Sequence, residues 1–115
     1  VGSPRLKICM DPVNMSGLAN HFRKTEFLDE CFDLVGEDII VCHAKDIILE
    51  GALHPWFLQA EPGQGTMDYE TYLARISRLS WPRTLFLEHL AAERYPDVKA
   101  FIEGTAARLG VKIYS

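Results

Sequence analysis

The fold is decided by Leu85-Phe86-Leu87-Glu88-His89, together with two similar stretches upstream. The apolar run at its start predicts a short buried strand, and the run ends at a side chain that binds metals in many proteins. The same change occurs where the run at residues 6–10 meets Asp11 and where the run at residues 39–42 meets His43. Three predicted strands therefore end at potential metal ligands.

Amphipathic segments with helical periodicity separate these runs, so the predicted order is strand, helix, strand, loop, helix, strand, helix. This order predicts an α/β fold with parallel strands, because such crossovers return the chain to the same edge of the sheet. Parallel strands carry functional groups at their carboxyl ends, in open sheets and in barrels. We therefore expect Asp11, His43 and Glu88 to converge on one rim.

The composition indicates one globular domain that avoids nucleic acids. The 115 residues are 48% hydrophobic and 24% charged, which lies outside the disordered class. A formal net charge of -4 and the lack of a Lys/Arg cluster exclude the electrostatics of a nucleic-acid binder. No apolar stretch approaches the ~20 residues of a membrane span, and no signal-peptide pattern opens the chain. We predict a cytoplasmic protein without a membrane partner.

The cysteine pattern predicts buried free thiols. Cys9 and Cys42 lie inside apolar runs and Cys31 lies on a helix face, and no two of them have CxxC spacing. The run at residues 38–41 is rich in β-branched residues, which is typical of a strand covered on both faces.

Several residues mark predicted helix ends. Thr25 is an expected N-cap of the first long helix, and Gly36 is its expected left-handed stop. Asp68 is expected to cap the next helix, whereas the last helix should start near Pro96 and stop at Gly110. A short return segment is expected at residues 111–114.

The segment from Ile47 to Gly65 is long for a connection between a strand and a helix. Two interpretations stay open for it. It forms a lid in which His54-Pro55-Trp56-Phe57-Leu58 closes over a pocket, or it forms a hairpin stabilised by Trp56.

Each strand-end residue has an ordinary alternative role when it is taken alone. Asp11 before a proline suits a turn, His43 suits a core histidine with satisfied hydrogen bonds, and Glu88 suits a pair with Lys45. Their shared placement favours a metal site, because polar groups at the ends of apolar strands are costly to desolvate without a partner. Carboxylate oxygens with one imidazole suit Mn²⁺, Mg²⁺, Co²⁺ or Zn²⁺.

Four blocks of the chain together form a recognisable pattern, and they are Asp11-Pro12-Val13-Asn14, His43-Ala44-Lys45-Asp46, Pro62-Gly63-Gln64-Gly65 with Met67-Asp68-Tyr69, and Leu87-Glu88-His89. They resemble the carboxyl-terminal part of the xylose-isomerase-like TIM-barrel family of sugar phosphate isomerases and epimerases. The resemblance implies that residues 1–115 form the last three strand-helix units of a (β/α)8 barrel that is incomplete in this chain. The turn-like start Val1-Gly2-Ser3-Pro4 agrees with a chain cut at a loop, since a whole barrel needs about 200 residues.

The resemblance also implies a chemistry. A divalent metal held by Asp11, His43 and Glu88 would polarise the carbonyl of a sugar or cyclitol, and a proton would move beside it through an enediolate. Glu88 would shuttle that proton and Lys45 would balance the negative charge. The family's first glutamate ligand has no counterpart here, so the isolated chain is expected to be inactive. Asn14, Glu61 and His89 are candidates for binding substrate.

Two alternatives to an isomerase stay open, and the topology also predicts an assembly. A non-catalytic small-molecule binding or regulatory domain fits the same barrel end, whereas an AP-endonuclease-like repair enzyme would need extra metal-binding histidines and a basic groove. Three parallel strands cannot close a barrel, so exposed edges and apolar surface predict a homo-oligomer.

Overall fold

A computed structural model describes residues 3–114 of the chain. The predicted turn at Val1-Gly2-Ser3-Pro4 therefore lies partly outside the described residues. The strands are β1 (Ile8–Met10), β2 (Ile39–Ala44), β3 (Asp46–Glu50), β4 (Trp56–Ala60) and β5 (Thr84–Leu87). The helices are α1 (Leu18–His21), α2 (Lys24–Val35), α3 (Tyr69–Ser77) and α4 (Tyr95–Arg108), with 3-10 turns at Gly36–Asp38 and Ala92–Arg94.

The three strands predicted from the apolar runs form one parallel sheet with the order β1-β2-β5. This confirms an α/β fold with a parallel sheet. The central strand β2 pairs with β1 through Met10 and Cys42, and with β5 through His43 and Phe86. A register shift in the pairing with β1 leaves Ile40 as an extra residue on β2. All three carboxyl ends consequently lie at the same edge of the sheet.

The helices α2, α3 and α4 cover one face of this sheet, and the core lies between them. Core residues on the strands include Met10, Cys42 and Ala44, which pack against a set of helical side chains. Those helical residues are Leu28, Phe32, Tyr69, Tyr72, Leu73, Ile102 and Ala106.

The expectation that β2 is covered on both faces is wrong for the described part of the chain. Ile40 is 59% exposed, and Phe86 of the neighbouring strand is 52% exposed. Cys9 is also exposed, so the prediction that its thiol is buried is wrong, whereas Cys42 is buried as expected. The run of apolar letters is the same for a strand buried on one face as for one buried on both, which explains these errors.

The long segment between β2 and α3 forms an antiparallel hairpin of β3 and β4, which confirms the second of the two interpretations. Glu50 pairs with Trp56 next to the turn, where Gly51 takes a φ of 89°. The Trp56 ring lies where a side chain at Gly51 would be. The tryptophan therefore packs over the turn and stabilises the hairpin.

The helix ends agree only in part with their predicted signals. Asp68 caps α3 by accepting a hydrogen bond of 2.9 Å from the Thr71 amide, and Gly110 ends α4 with a φ of 69°. Thr25 is not an N-cap, because it lies inside α2 and its hydroxyl donates to Asp68. Gly36 is not left-handed, because its φ of -50° continues the chain into a 3-10 turn.

The last helix includes Pro96 in its first turn, as predicted. Residues 111–114 follow it without regular secondary structure. Among residues 3–114, none of the helices has the length and apolar character that crossing a membrane requires.

Candidate functional site

The strand alternation places the candidate residues on the open face of the sheet, opposite the helices. Side chains two residues apart on a strand share a face, so Asp11 follows Cys9, Lys45 follows His43, and Glu88 follows Phe86. The Glu88 amide donates 3.2 Å to the Ala44 carbonyl, which extends the pairing of β2 and β5 by one residue. The open face therefore ends in a polar cluster.

The structure brings Asp11, His43 and Glu88 together. The Nδ1 atom of His43 lies 3.2 Å from Asp11 Oδ2 and 3.3 Å from Glu88 Oε1. One ligand atom of each side chain lies within 4.8 Å of the other two. Asp11 is buried, whereas His43 and Glu88 are partly exposed and face a surface that a ligand can reach.

Lys45 lies inside the same cluster, with its side chain only 6% exposed. Its Nζ atom donates 2.7 Å to Asp11 Oδ2 and 3.0 Å to Glu88 Oε2. The pair of Lys45 and Glu88 considered from the sequence is therefore present. The single ammonium group partly neutralises two carboxylates.

These contacts change the proton affinities of the buried groups. Burial alone would raise the pKa of Asp11, but hydrogen bonds from Lys45 and from the Asn14 amide outweigh it and lower that pKa below its ordinary value. Burial opposes the charge of Lys45, but its hydrogen bonds to Asp11 and Glu88 prevail and raise its pKa. Both groups therefore remain charged at neutral pH.

Cys9 is a fifth member of the cluster that the sequence did not reveal. Its Sγ atom lies 3.3 Å from Nε2 of His43, on the side of the ring away from Asp11 and Glu88. Desolvation, followed by the negative charges of Asp11 and Glu88, raises the pKa of this thiol. The group is consequently a neutral thiol at neutral pH.

Two tyrosines of α3 fix the backbone that carries the cluster. The Tyr69 hydroxyl donates 2.7 Å to the Lys45 carbonyl. The Tyr72 hydroxyl lies 3.1 Å from the Met10 carbonyl and 3.2 Å from the His43 carbonyl, and it shares its proton between them. Both side chains are buried, and burial raises both pKa values. The hydrogen bonds from α3, on the core side of the sheet, therefore fix the positions of the strand ends that carry the cluster.

Asp46 plays an equivalent role for the loop that follows the hairpin. Its side chain is fully buried and accepts hydrogen bonds of 2.9–3.1 Å from four backbone amides. A side chain at Gly65 would overlap this carboxylate, which explains the glycine. The four donors are the amides of Ile47, Gly63, Gly65 and Met67.

The three candidate substrate residues have different surroundings. The Asn14 amide donates 3.1 Å to Asp11 Oδ1, and its side chain is exposed beside the cluster. The Glu61 carboxylate is held by Nε of Arg94 at 3.0 and 3.1 Å. His89 is exposed and has a φ of 57°, and its carbonyl accepts 3.0 Å from the Gln59 side chain. Glu61 is thus engaged by Arg94 outside the cluster, and the substrate roles of all three stay predictions.

Some of the missed residues have a signal in the sequence. Tyr69 and Tyr72 occupy buried helical positions where a phenylalanine would serve packing alone, so their hydroxyl groups indicate buried hydrogen bonds. Asp46 directly follows Lys45, but only the hairpin brings the later amides to its carboxylate. Cys9 gave no signal beyond standing two residues before Asp11, a spacing that places both on one face of a strand.

The donor chemistry of this cluster suits a divalent cation of the Mn²⁺, Mg²⁺, Co²⁺ or Zn²⁺ class. Asp11 and Glu88 supply carboxylate oxygens, and His43 supplies the imidazole nitrogen that faces them. The opposing feature is Lys45, whose ammonium group already bridges both carboxylates. A cation bound here would compete with Lys45 for the same oxygens.

Comparison with known proteins gives no family for this chain, since no protein-family model, no curated protein and no solved structure matches it significantly. The resemblance to xylose-isomerase-like enzymes therefore rests on the four sequence blocks alone. Any activity taken from it is a proposal.

Proposed function

We propose that this chain supplies a divalent-metal site for the isomerisation or epimerisation of a sugar or cyclitol by proton transfer beside a carbonyl. One observation carries the proposal. The ligand atoms of Asp11, His43 and Glu88 lie within 4.8 Å of one another at the carboxyl ends of three parallel strands. In parallel α/β proteins this edge of the sheet is where active sites are built.

The cation would be held by Asp11, His43 and Glu88. When bound, it would act as a Lewis acid that polarises the substrate carbonyl and the adjacent hydroxyl. Three protein ligands leave coordination positions for substrate oxygens, as catalytic metal sites require. The parallel sheet and its helices then correspond to the last three strand-helix units of a TIM barrel.

Glu88 is the proposed proton shuttle. Its side chain is 32% exposed on the open face, so a substrate can reach the carboxylate. As a carboxylate it removes a proton from the carbon next to the carbonyl, and in an isomerisation it returns the proton to the former carbonyl carbon. An epimerisation would need a second acid on the opposite face, which is the role of the family's glutamate that has no counterpart in this chain. Lys45 holds a positive charge 3.0 Å from Glu88 Oε2, and this charge would stabilise the enediolate.

The remaining substrate contacts are proposed for Asn14, Glu61 and His89. Asn14 is exposed beside Asp11 and can donate to a substrate hydroxyl from its side chain. Glu61 would have to leave Arg94 before its carboxylate could accept a hydrogen bond from a substrate hydroxyl, and His89 would act from the residue directly after Glu88. We further propose that the protein is a homo-oligomer, because the open face and the outer edges of β1 and β5 lack partners in the described residues.

A second candidate function is a metal-free binding or regulatory domain, which one observation favours. Lys45 already balances Asp11 and Glu88, so the cluster is satisfied without a cation. The repair-endonuclease alternative requires additional metal-binding histidines. Within residues 3–114, Asp11, His43 and Glu88 form the one group of three potential metal ligands, and no additional histidine cluster accompanies it.

Calorimetry with Mn²⁺ separates the first two functions. We expect saturable heat from the wild-type chain, its loss in Asp11→Asn and Glu88→Gln, and wild-type behaviour in the control Glu30→Gln. Glu30 is a suitable control because it is an exposed helix residue paired with Arg23. A wild-type chain without heat, or heat that survives in Asp11→Asn, would favour the metal-free domain.

The isomerase chemistry needs its own test, in a protein that also supplies the glutamate ligand that has no counterpart in this chain. Glu88→Gln keeps the side-chain volume but cannot accept the proton, so exchange of the substrate's α-hydrogen with deuterated solvent should stop while the protein stays folded. Undiminished exchange in this variant would reject Glu88 as the shuttle.

A further inference from the structure

The two ring nitrogens of His43 lie next to different kinds of side chain. Nδ1 lies beside the carboxylate oxygens of Asp11 and Glu88, whereas Nε2 lies 3.3 Å from the Cys9 Sγ atom. The register explains this contact, because Cys9 pairs with Val41 and so stands diagonally across from His43 on the open face. Cys9 is the partner of Nε2 among the described hydrogen bonds.

A neutral imidazole has one N–H, and its position decides what the ring can bind. Ionised carboxylates only accept hydrogen bonds, so without a cation the proton belongs on Nδ1, where it donates to Asp11. Binding a cation through Nδ1 requires a lone pair on that nitrogen, and the proton must then be on Nε2. The ring therefore has to change tautomer, without changing its net charge, when a cation enters.

A thiol can serve both tautomers in the same place. Its S–H donates to a bare Nε2, and its sulfur lone pairs accept from a protonated Nε2. Rotation about the bond between Cβ and Sγ interchanges the two arrangements while the ring stays in position. A carbonyl or carboxylate at this position would accept only, and an apolar side chain would do neither.

We propose that Cys9 is a positioning residue that holds the His43 ring so that Nδ1 presents its lone pair to a divalent cation shared with Asp11 and Glu88. This inference rests on the cation site of the proposed function, but not on isomerase activity. Loss of an outer partner of a metal-binding histidine weakens metal affinity by about 10–100-fold. Sulfur is a weak hydrogen-bonding atom, and its bond to Nε2 in the cation-free ring cancels part of the effect, so we expect the lower end of this range, about tenfold.

Mn²⁺ calorimetry on three cysteine variants tests the role of Cys9. Cys9→Val is close in volume and removes both hydrogen-bonding roles, whereas Cys9→Ser keeps them. Cys31→Ser alters a partly buried thiol on α2 and serves as the control. We expect an affinity about tenfold weaker for Cys9→Val and an affinity near that of the wild type for the other two.

The outcomes distinguish this inference from the proposed function. Wild-type binding with an unchanged affinity in Cys9→Val overturns the role of Cys9 and leaves the cation site standing. Absence of Mn²⁺ binding by the wild type overturns both.

A spectroscopic measurement keeps the inference testable if Cys9→Val fails to fold. Long-range ¹H–¹⁵N correlations of the wild-type His43 ring report its tautomer, and Zn²⁺ is a suitable diamagnetic ion because it binds an imidazole nitrogen together with carboxylate oxygens. The expected result is a proton on Nδ1 without the ion and on Nε2 at saturating Zn²⁺. A ring that keeps its Nδ1 proton at saturation would overturn the inference.

Discussion

The ammonium nitrogen of Lys45 lies 2.7 Å from Asp11 Oδ2, and the two side chains are only 6% and 9% exposed. A buried lysine is retained where a partner compensates the loss of its hydration. The same nitrogen also contacts Glu88, so one cation of the protein spans the two carboxylates that would hold a metal ion. The cluster can be neutralised by Lys45 or by a divalent ion, and the two compete.

This competition predicts opposite effects of Lys45→Met on stability and on metal binding. Without metal, the variant leaves Asp11 with little compensation, and we expect a loss of about 3 kcal/mol in the free energy of unfolding. With Mn²⁺, removal of a positive charge so close to the ion should tighten binding by about tenfold or more. Urea unfolding with and without Mn²⁺ measures both effects.

Lys7→Met is the matched control for this experiment. Lys7 pairs with Asp38 at 2.7 Å on the surface, where both side chains are well exposed. We expect a change within about 1 kcal/mol and no effect on Mn²⁺. If Lys45→Met behaved like Lys7→Met, the competition between Lys45 and a metal ion would be excluded.

The order of the parallel strands could be predicted from the sequence because each apolar run carries its own signal. The runs ending at Asp11, His43 and Glu88 alternate with amphipathic segments, and right-handed crossovers leave few arrangements for such units. Coverage of the sheet could not be predicted in the same way. Phe86 is exposed and Leu87 is partly buried, although both are apolar, and the helices decide which of them is covered.

Only the members of the cluster that lie directly at the strand ends could be predicted from the sequence. The convergence of Asp11, His43 and Glu88 is predictable because parallel strands bring their carboxyl ends together. The position of Lys45 between the carboxylates depends on side-chain geometry, as does the contact of Cys9 with Nε2 of His43. The four amides bound by Asp46 depend on a hairpin whose strands lack a clear alternation of apolar and polar residues.

Alanine substitutions at two glycines should have opposite effects on the stability of the fold. A side chain at Gly65 would overlap the buried Asp46 carboxylate and the Ile47 carbonyl, and backbone atoms cannot move aside cheaply. Gly104 lies within α4 with open space around it. We expect Gly65→Ala to destabilise the fold by about 3 kcal/mol, whereas Gly104→Ala should stabilise it by about 0.5–1 kcal/mol.

Thermal or urea unfolding of the two alanine variants checks this contrast. A neutral result for Gly65→Ala would mean that the loop does not depend on the Asp46 contacts.

His21 predicts a loss of stability in mild acid. Its ring is buried, lies 5.3 Å from the Phe57 ring and has an Nδ1 atom without a hydrogen-bond partner among the described residues. Desolvation first, and the charge of Lys24 second, lower the pKa of His21 below its ordinary value of about 6.5. His21 is therefore protonated near pH 6.5 in the unfolded chain, but only at lower pH in the folded chain.

The direction of this pH effect follows from the linkage between protonation and folding. The contribution of His21 is fully present above about pH 6.5 and falls as the pH decreases towards its folded pKa, by at most about 1.4 kcal/mol per pH unit. His21→Phe should reduce the difference in unfolding free energy between pH 7.5 and pH 5.5, whereas the exposed control His54→Gln should not. An equal pH dependence in His21→Phe and the wild type would contradict this origin.

The open face of the sheet predicts that the chain associates with a second copy. Phe86 is 52% exposed and Ile40 is 59% exposed on the sheet, and β1 and β5 have unpaired outer edges within the described residues. Unpaired edges next to exposed apolar side chains favour pairing between chains. Phe86→Lys should weaken association by about tenfold or more, since a buried phenylalanine contributes about 1.5–3 kcal/mol.

Leu34→Lys is the control because Leu34 is 83% exposed on α2, away from the sheet. Sedimentation at micromolar concentration measures this effect, and a monomeric wild-type chain would show that the exposed face does not mediate self-association.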